Sequence, residues 1–384
     1  MSKGELPGSA RLLARVTDPE EAAPSAVYAL PDIATLRTIE SLWPTTVAHT
    51  FDYTVKRAAA RLPVTFGSPP ESAAGPLVVM LPKGKELTRW LFAHLAQKAA
   101  PGCSLRLVGS KDEGIGSADK FAGEGWRYVD TVAYGNHARI EAFERTDEPA
   151  PAMESFRTLN AKVEAIGGPV SLEVSTAPGV FAADGLDEGS RLLLRHLPAL
   201  QATSALDLGC GAGWLARFLL QTGRAAKVEA VDTHWMALEA TRATLASFGA
   251  AATVRASEGL SDAAGGYDLV VSNPPFHQGH TQTVDPTLRM IADLPRVMRY
   301  VGRLYLVANR FLPYNETLDT AFERVSVVAE TGKFRLYRAE APRAVAPKAA
   351  PLKAASPRVA PAKTEPPKTA PAKPEQRRDR ARKR

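Results

Sequence analysis

Tyr267-Asp268-Leu269-Val270-Val271-Ser272-Asn273-Pro274-Pro275-Phe276 begins as an apolar run and stops on an amide, two prolines and an aromatic ring. Leu269, Val270 and Val271 suit a buried strand, and the prolines end it because proline has no N–H for a sheet ladder. The run therefore predicts a parallel strand with Asn273 at its carboxyl end, the edge along which open α/β sheets bind their ligands.

The flanking sequence supplies the rest of such a sheet. Ala205-Leu206-Asp207-Leu208-Gly209-Cys210-Gly211-Ala212-Gly213 reads as a strand followed by glycines at alternate positions, and a helix from Trp214 to Gln221 follows directly. Glycine lets a backbone turn sharply and approach a ligand closely. Val228 to Val231 is the next strand and ends in Asp232, 19 residues after Gly213, the spacing at which such folds hold ribose hydroxyls. A helix from Ala237 to Phe248 leads to a third strand, Thr253 to Ala256, which leaves Ser257 and Glu258 at its carboxyl end. The opening run is the fourth strand, Gly302 to Ala308 the fifth, and Val325 to Val328 and Phe334 to Tyr337 supply two more. This alternation predicts a doubly wound, seven-stranded Rossmann-like α/β sheet.

The glycine loop by itself is ambiguous, because a nicotinamide dehydrogenase also has a glycine-rich first turn with an acid about 20 residues on. Two features favour S-adenosylmethionine. The pattern is G-x-G-x-G with Asp207 ahead of it, and the Asn-Pro-Pro-Phe after the fourth strand has no use in a dehydrogenase. Asp207, Gly209, Cys210, Gly211 and Gly213 are then expected around the cofactor, with Asp232 on the ribose and Ser257 and Glu258 beside the adenine. Cys210 reads as a small residue in a tight loop and Trp214 as packing at its helix start. Asn273-Pro274-Pro275-Phe276 resembles the catalytic motif of methyltransferases that alkylate a nitrogen conjugated with a planar system, either the exocyclic amine of a base or a glutamine amide. The Asn273 side-chain oxygen and the Pro274 carbonyl can accept both amine hydrogens, which aims the lone pair and stabilises developing positive charge. Phe276 can stack on the base, a contact worth about 1–3 kcal/mol. His277, His280 and Asp285 lack an obvious complete ligand set, so no metal is expected and the histidines read as substrate-loop residues.

The earlier half carries a similar alternation. Residues 28–60 have helix-like spacing (Leu36, Ile39, Leu42, Trp43). Leu77 to Leu81 is a buried strand, Glu86 to Lys98 a helix with Leu87, Trp90, Leu91 and Leu95 on one face, and Leu105 to Gly109 another strand. The turn Gly114-Ile115-Gly116-Ser117-Ala118, with Lys111 and Lys120 beside it, lacks a full G-x-G-x-x-G and reads as a tight connection. The expected organisation is a lead-in over 1–25, an α/β domain over 26–150, a linker over 151–172, a catalytic domain over 173–340 and a tail over 341–384.

Composition places the charge. The chain of 384 residues is 45% hydrophobic and 23% charged, which is globular, and its net charge of +7 is uneven. Residues 341–384 hold 13 of the 48 Lys and Arg but 3 of the 41 Asp and Glu, so the tail carries +10 and residues 1–340 carry −3. Lysine or arginine every five residues in an Ala/Pro background cannot bury a core, and predicts a disordered segment that contacts nucleic acid or serves solubility. No apolar run approaches the roughly 20 residues that span a bilayer. Met1-Ser2-Lys3-Gly4-Glu5 lacks the build of a signal peptide. Cys103 and Cys210 are far apart, which fits a reducing cytoplasm rather than a disulfide framework.

With these motifs in order, the chain resembles the RsmC-like methyltransferases, which modify the N2 amine of a guanine in small-subunit ribosomal RNA, and the related RlmG family of the large subunit. The resemblance runs through Pro178-Gly179-Val180-Phe181, Asp184-Gly185-Leu186-Asp187, the glycine loop, Asn273 to His277, Val307-Ala308-Asn309, Phe311-Leu312-Pro313-Tyr314 and Thr331-Gly332-Lys333-Phe334. Pro82-Lys83-Gly84-Lys85 and Gly114 to Ala118 extend it loosely into the first half. It implies two methyltransferase-like domains, the first a degenerate copy that no longer binds cofactor and helps to bind RNA. It also implies that Phe181 and Asp184 close over the cofactor or the target base, and that the substrate is a guanine flipped out of a ribosomal RNA stack. Methylation of a large-subunit ribosomal RNA guanine, methylation of a protein glutamine amide, and a non-catalytic RNA-binding assembly factor stay open as alternatives.

Overall fold

The computed structural model describes residues 6–18, 22–70, 75–150, 152, 156–274 and 286–344. Pro275, Phe276, the His277–His280 pair with Asp285, and the basic tail lie outside the described residues.

The first half opens with α1 (Gly8–Val16), followed by β1 (Ala26–Tyr28), α2 (Ile33–Leu42), β2 (Val47–Thr50), α3 (Tyr53–Ala58), β3 (Val64–Phe66), β4 (Leu77–Met80), α4 (Lys85–Lys98), β5 (Ser104–Ser110), β6 (Trp126–Gly135) and β7 (Ala138–Arg145). Its strands form one sheet in the order β3-β2-β1-β4-β5-β7-β6. A hairpin of β8 (Arg157–Ala165) and β9 (Gly168–Thr176) comes next. The second half runs α5 (Glu188–His196), β10 (Ala202–Leu208), α6 (Trp214–Gln221), β11 (Ala225–Asp232), α7 (Trp235–Leu245), β12 (Ala252–Ala256), β13 (Tyr267–Ser272), α8 (Pro286–Asp293), β14 (Met298–Asn309), α9 (Tyr314–Ala321), β15 (Phe322–Glu330) and β16 (Phe334–Pro342). Its sheet repeats the first one strand for strand, β12-β11-β10-β13-β14-β16-β15. In each sheet the first five strands of that order are parallel and the last two join antiparallel. The chain is thus two halves of one doubly wound topology, as the resemblance implies.

Strand order reverses between β10 and β13, which pair with Leu208 opposite Ser272. Asn273 therefore leaves the sheet beside Gly209, at the switch point where a crevice opens between diverging connections. The strands that frame it are buried on both faces: Leu206, Leu269, Val270 and Val271 are fully covered.

Two expected boundaries need correction. The lead-in over 1–25 contains α1, whose Leu12 and Leu13 are buried against the first sheet. The buried face, Ser9, Ala10, Leu12 and Leu13, has helical spacing over a short segment of small and charged residues, and Pro7 precedes the helix with no side-chain cap. The linker over 151–172 contains most of the β8–β9 hairpin, paired from Arg157 with Thr176 to Ala165 with Gly168. Its covered face, Val163, Leu172 and Val174, packs against α5, α6 and α7. Along β9 the alternation of Val170, Leu172 and Val174 is the period of a half-buried strand.

The halves meet through equivalent connections. The Tyr53 N–H donates to the Thr233 carbonyl at 2.9 Å, and the Trp235 N–H donates to the Phe51 carbonyl at 2.8 Å. The Phe51 ring stacks on His234 and Trp235, with centroids 5.8 and 6.2 Å away. Strands β2 and β11 hold the same place in their sheets. Asp52, just beyond β2, accepts from Thr54 N–H at 2.7 Å, and Asp232, at the end of β11, accepts from His234 N–H at 2.9 Å.

Candidate active site

Gly209 and Gly211 carry φ of +76° and +54°, and a Cβ built on either would meet nothing within 4 Å. Their bareness answers to open space above the backbone, which is the cradle a closely bound ligand needs. Gly213 differs, since a Cβ there would come 3.2 Å from Thr241 of α7. The Thr241 hydroxyl ties the loop down by donating to the Gly211 carbonyl at 2.9 Å. It also lies 3.3 Å from the sulfur of Cys210, whose thiol is pushed well up by burial. A thiol so held is a poor nucleophile, in line with its reading as a small residue.

Asp207 is fully buried. One carboxylate oxygen accepts from the Ala216 N–H of α6 at 2.9 Å, and the other has no partner. Burial raises its pKa to about 7; the Ala216 N–H works against the rise and Asp232 adds to it. Asp232 accepts from the Gly211 N–H at 3.0 Å, so the acid at the end of β11 touches the glycine loop directly. Burial raises its pKa as well, against the N–H groups of His234 and Gly211.

Ser257 joins this edge through its backbone, donating to the Asp232 carbonyl at 3.0 Å. Its hydroxyl is spent locally, donating to the Gly259 carbonyl and accepting from the Asp262 N–H. The exposed Glu258 lies 4.0 Å from Arg57 of the first half, and Arg57 also pairs with Asp262 at 2.9 Å. Phe181 is 60% exposed. Asp184 is exposed too, 3.7 Å from Arg157 of β8. Among the described residues no hydrogen bond links either of them to the glycine loop or to Asn273.

Asn273 is 9% exposed. Its amide nitrogen donates to the Asp187 carboxylate at 2.9 Å and to the Ser190 hydroxyl at 3.0 Å. A carboxylate only accepts, so the nitrogen must face Asp187 and the amide oxygen must point away. That oxygen is buried and has no partner. The same Asp187 oxygen accepts from the Gly189 and Ser190 N–H groups, capping α5. A Cβ on Gly189 would stand 3.3 Å from the Asn273 amide, so the helix start fits closely around it. Pro274 is buried beside it. Sequence reasoning did not single out Asp187 and Ser190 as site residues. Asp187 ahead of Glu188 and an apolar helix is a recognisable cap, whereas its hold on Asn273 arises only in the folded chain.

Residues 171–338 match the family described as Methyltransferase small domain, and residues 33–158 match Methyltransferase small domain N-terminal. Ribosomal RNA small subunit methyltransferase C of Aeromonas hydrophila is 36% identical over 263 residues, 68% of this chain and 75% of the relative. The protein of the same name from Shewanella amazonensis is 34% identical over 261 residues, 68% of this chain and 76% of the relative. The chain belongs to this family. Among solved structures, T. thermophilus RsmC, a 16S rRNA N2-guanine methyltransferase in complex with AdoMet and guanosine, aligns with a TM-score of 0.75 at 24% identity, over 86% of this chain and 91% of that one. That likeness is one of fold, and it spans both halves.

Within the RsmC family fold, the bare glycine edge, Asp232 on the loop and the partnerless Asp207 oxygen fit a cofactor carrying hydroxyls and an ammonium. Among the described residues no group of three or more His, Cys, Asp or Glu could hold a metal ion, and no helix is long and apolar enough to cross a membrane.

Proposed function

We propose that this protein methylates the exocyclic N2 amine of a guanine in small-subunit ribosomal RNA, with S-adenosylmethionine as donor. Membership of the small-subunit methyltransferase C family supports the substrate. The observation that carries the chemistry is the buried, partnerless oxygen of Asn273.

S-adenosylmethionine, when bound, supplies an electrophilic methyl group. The protein's own part is placement. Gly209, Cys210, Gly211 and Gly213 hold the cofactor against backbone, Asp207 anchors that loop to α6, and Asp232 takes the ribose hydroxyls. Ser257 and Glu258 border the adenine, and Phe181 and Asp184 close the entrance. An exocyclic amine delocalises its lone pair into the ring and must be turned toward the donor. The Asn273 oxygen and the Pro274 carbonyl accept its two hydrogens, which aims the lone pair and stabilises positive charge as it forms. The sequence motif assigns Phe276, outside the described residues, the stack on the flipped base. No strong general base is needed, since the alkylated nitrogen loses its proton readily.

The first half, residues 26–150 with α1, braces the segments that follow Asp232 and Ser257 and leaves the chemistry to residues 173–340. The tail over 341–384 adds affinity for RNA through its charge, and the protein works in the cytoplasm, where the ribosome is made. N2-methylguanine mapped in small-subunit RNA from cells with and without the gene tests this reading. One such residue should disappear with the gene, and an unchanged map, or label recovered only in protein, overturns it.

A further inference from the structure

We propose that the RNA strand flanking the target guanine runs through a groove between α5 and the β15–β16 turn, with its phosphates on Arg191 and Arg195 and a neighbouring base on Phe311. This rests on the RNA substrate proposed above and assigns the path by which that substrate enters.

The groove has a volume of about 380 Å³ and is lined by α5 from Glu188 to Arg195 and by the turn Thr331-Gly332-Lys333. That is the size class of a site for one small ligand. It begins one residue from Asp187, the carboxylate that holds Asn273. A nucleotide attached to the flipped guanine is thereby brought to its mouth.

Its charge favours an anion. Glu188 and Lys333 neutralise each other at 3.2 Å across the groove. Arg191 donates to the Lys162 carbonyl at 2.8 Å, and among the described residues no carboxylate pairs with it or with Arg195. Residues four apart on a helix stand one above the other, so two uncompensated guanidiniums line one wall. The dipole of α5 accounts for a cation at Arg195 in the last turn; Arg191, near the helix start, faces the unfavourable end. Guanidinium forks match phosphate oxygens in pairs.

A ring stands on the loop bonded to the Lys333 wall. Phe311 is 81% exposed, with the Arg310 guanidinium 5.8 Å from its centre. The Arg310 N–H donates to the Lys333 carbonyl at 2.8 Å, tying the loop that carries Phe311 to the groove wall. An exposed ring beside a basic groove is the arrangement by which single strands are held, stacking a base of any identity while cations track the backbone.

The test compares wild type, Arg191→Ala with Arg195→Ala, Phe311→Ala and Phe311→Tyr on purified small subunits, alongside calorimetric S-adenosylmethionine affinity. The double variant should raise the RNA KM at least roughly tenfold and flatten the slope of log affinity against log salt by about 1.4, at about 0.7 per phosphate. Phe311→Ala should raise KM by roughly 5- to 100-fold and Phe311→Tyr should restore it, since only the stacking face matters. Unchanged KM and salt slope in variants of an active wild type overturn the path while sparing the function. Lost cofactor affinity in the variants also overturns it, by placing their role in the fold of α5. A wild type that leaves subunit RNA unmethylated overturns the function first.

Discussion

The Asp187 carboxylate accepts from the Asn273 amide at 2.9 Å across 86 residues of chain, with the same oxygen that caps α5. A helix start and the Asn273 amide thus share one anchor. Asp187→Ala should cost about 0.5–2 kcal/mol of stability through the lost cap. It should also lower kcat by up to roughly 10²-fold, because a small misplacement of a positioning group is expensive in rate. Asp187→Asn keeps an acceptor and should return most of both. Thermal melts and single-turnover rates check this, and a kcat untouched by Asp187→Ala would separate the cap from the chemistry.

Asn273→Ala removes the acceptor itself. The expected loss is about 10²–10³-fold in kcat, the usual worth of one preorganised hydrogen-bonding group at a centre of developing charge. Cofactor affinity by calorimetry should stay within about threefold of wild type. A variant that still turns over at the wild-type rate would remove Asn273 from the mechanism.

The glycines separate by what surrounds them. Gly209→Ala places a methyl in the open cradle at a φ of +76°. It should weaken S-adenosylmethionine binding at least roughly tenfold, at a stability cost of about 1–2 kcal/mol for the left-handed backbone. Gly213→Ala instead drives a methyl to within 3.2 Å of Thr241. Its chief effect should be on the melting temperature, and the ratio of affinity loss to stability loss distinguishes the two positions.

Asp207 makes stability depend on pH in a stated direction. Its folded pKa is raised to about 7 from 3.8, so the folded state binds the proton more tightly than the unfolded one. Stability is therefore highest below about pH 4, falls as pH rises through the window up to about 7, and stays lowered above it. Asp207→Asn keeps an acceptor for the Ala216 N–H without the buried charge. The melting temperature of the variant relative to wild type should accordingly be more favourable at pH 8 than at pH 5; no change in that difference would mean that the carboxylate ionises freely.

Across the contact between halves, burial ranks the residues. Phe51 is buried and stacks on His234 and Trp235, so Phe51→Ala should cost about 3–5 kcal/mol. Because those rings follow Asp232 directly, cofactor affinity should fall too. Arg57 pairs with Asp262 near the surface, and Arg57→Ala should cost no more than about 1 kcal/mol. Denaturant melts of the two variants test the ranking.

The second half was legible where local sequence and tertiary role coincide. Leu269 to Val271, the alternate glycines and Asp232 announce a parallel strand edge because each has one physical use there. Other parts depended on return of the chain. In α1 the buried face pairs Leu12 and Leu13 with only Ser9 and Ala10, so its helical spacing carries little apolar signal until the sheet covers it. The hairpin β8–β9 follows a Pro/Ala-rich stretch that reads as a linker, and its apolar side becomes meaningful once α5, α6 and α7 lie against it. Asp187 looks like a cap and no more until β13 brings Asn273 beside it. The short strands β1, β2 and β3 of three or four residues carry too few positions for any period.

The bonds from Tyr53 to Thr233 and from Trp235 to Phe51 cross the seam between equivalent connections, one donated from each side. Asp52, the counterpart of Asp232, caps α3 on one side of this seam, and Asp232 lies on the other. A substitution in the first half that loosens this seam should therefore reach the segment that follows Asp232 as well.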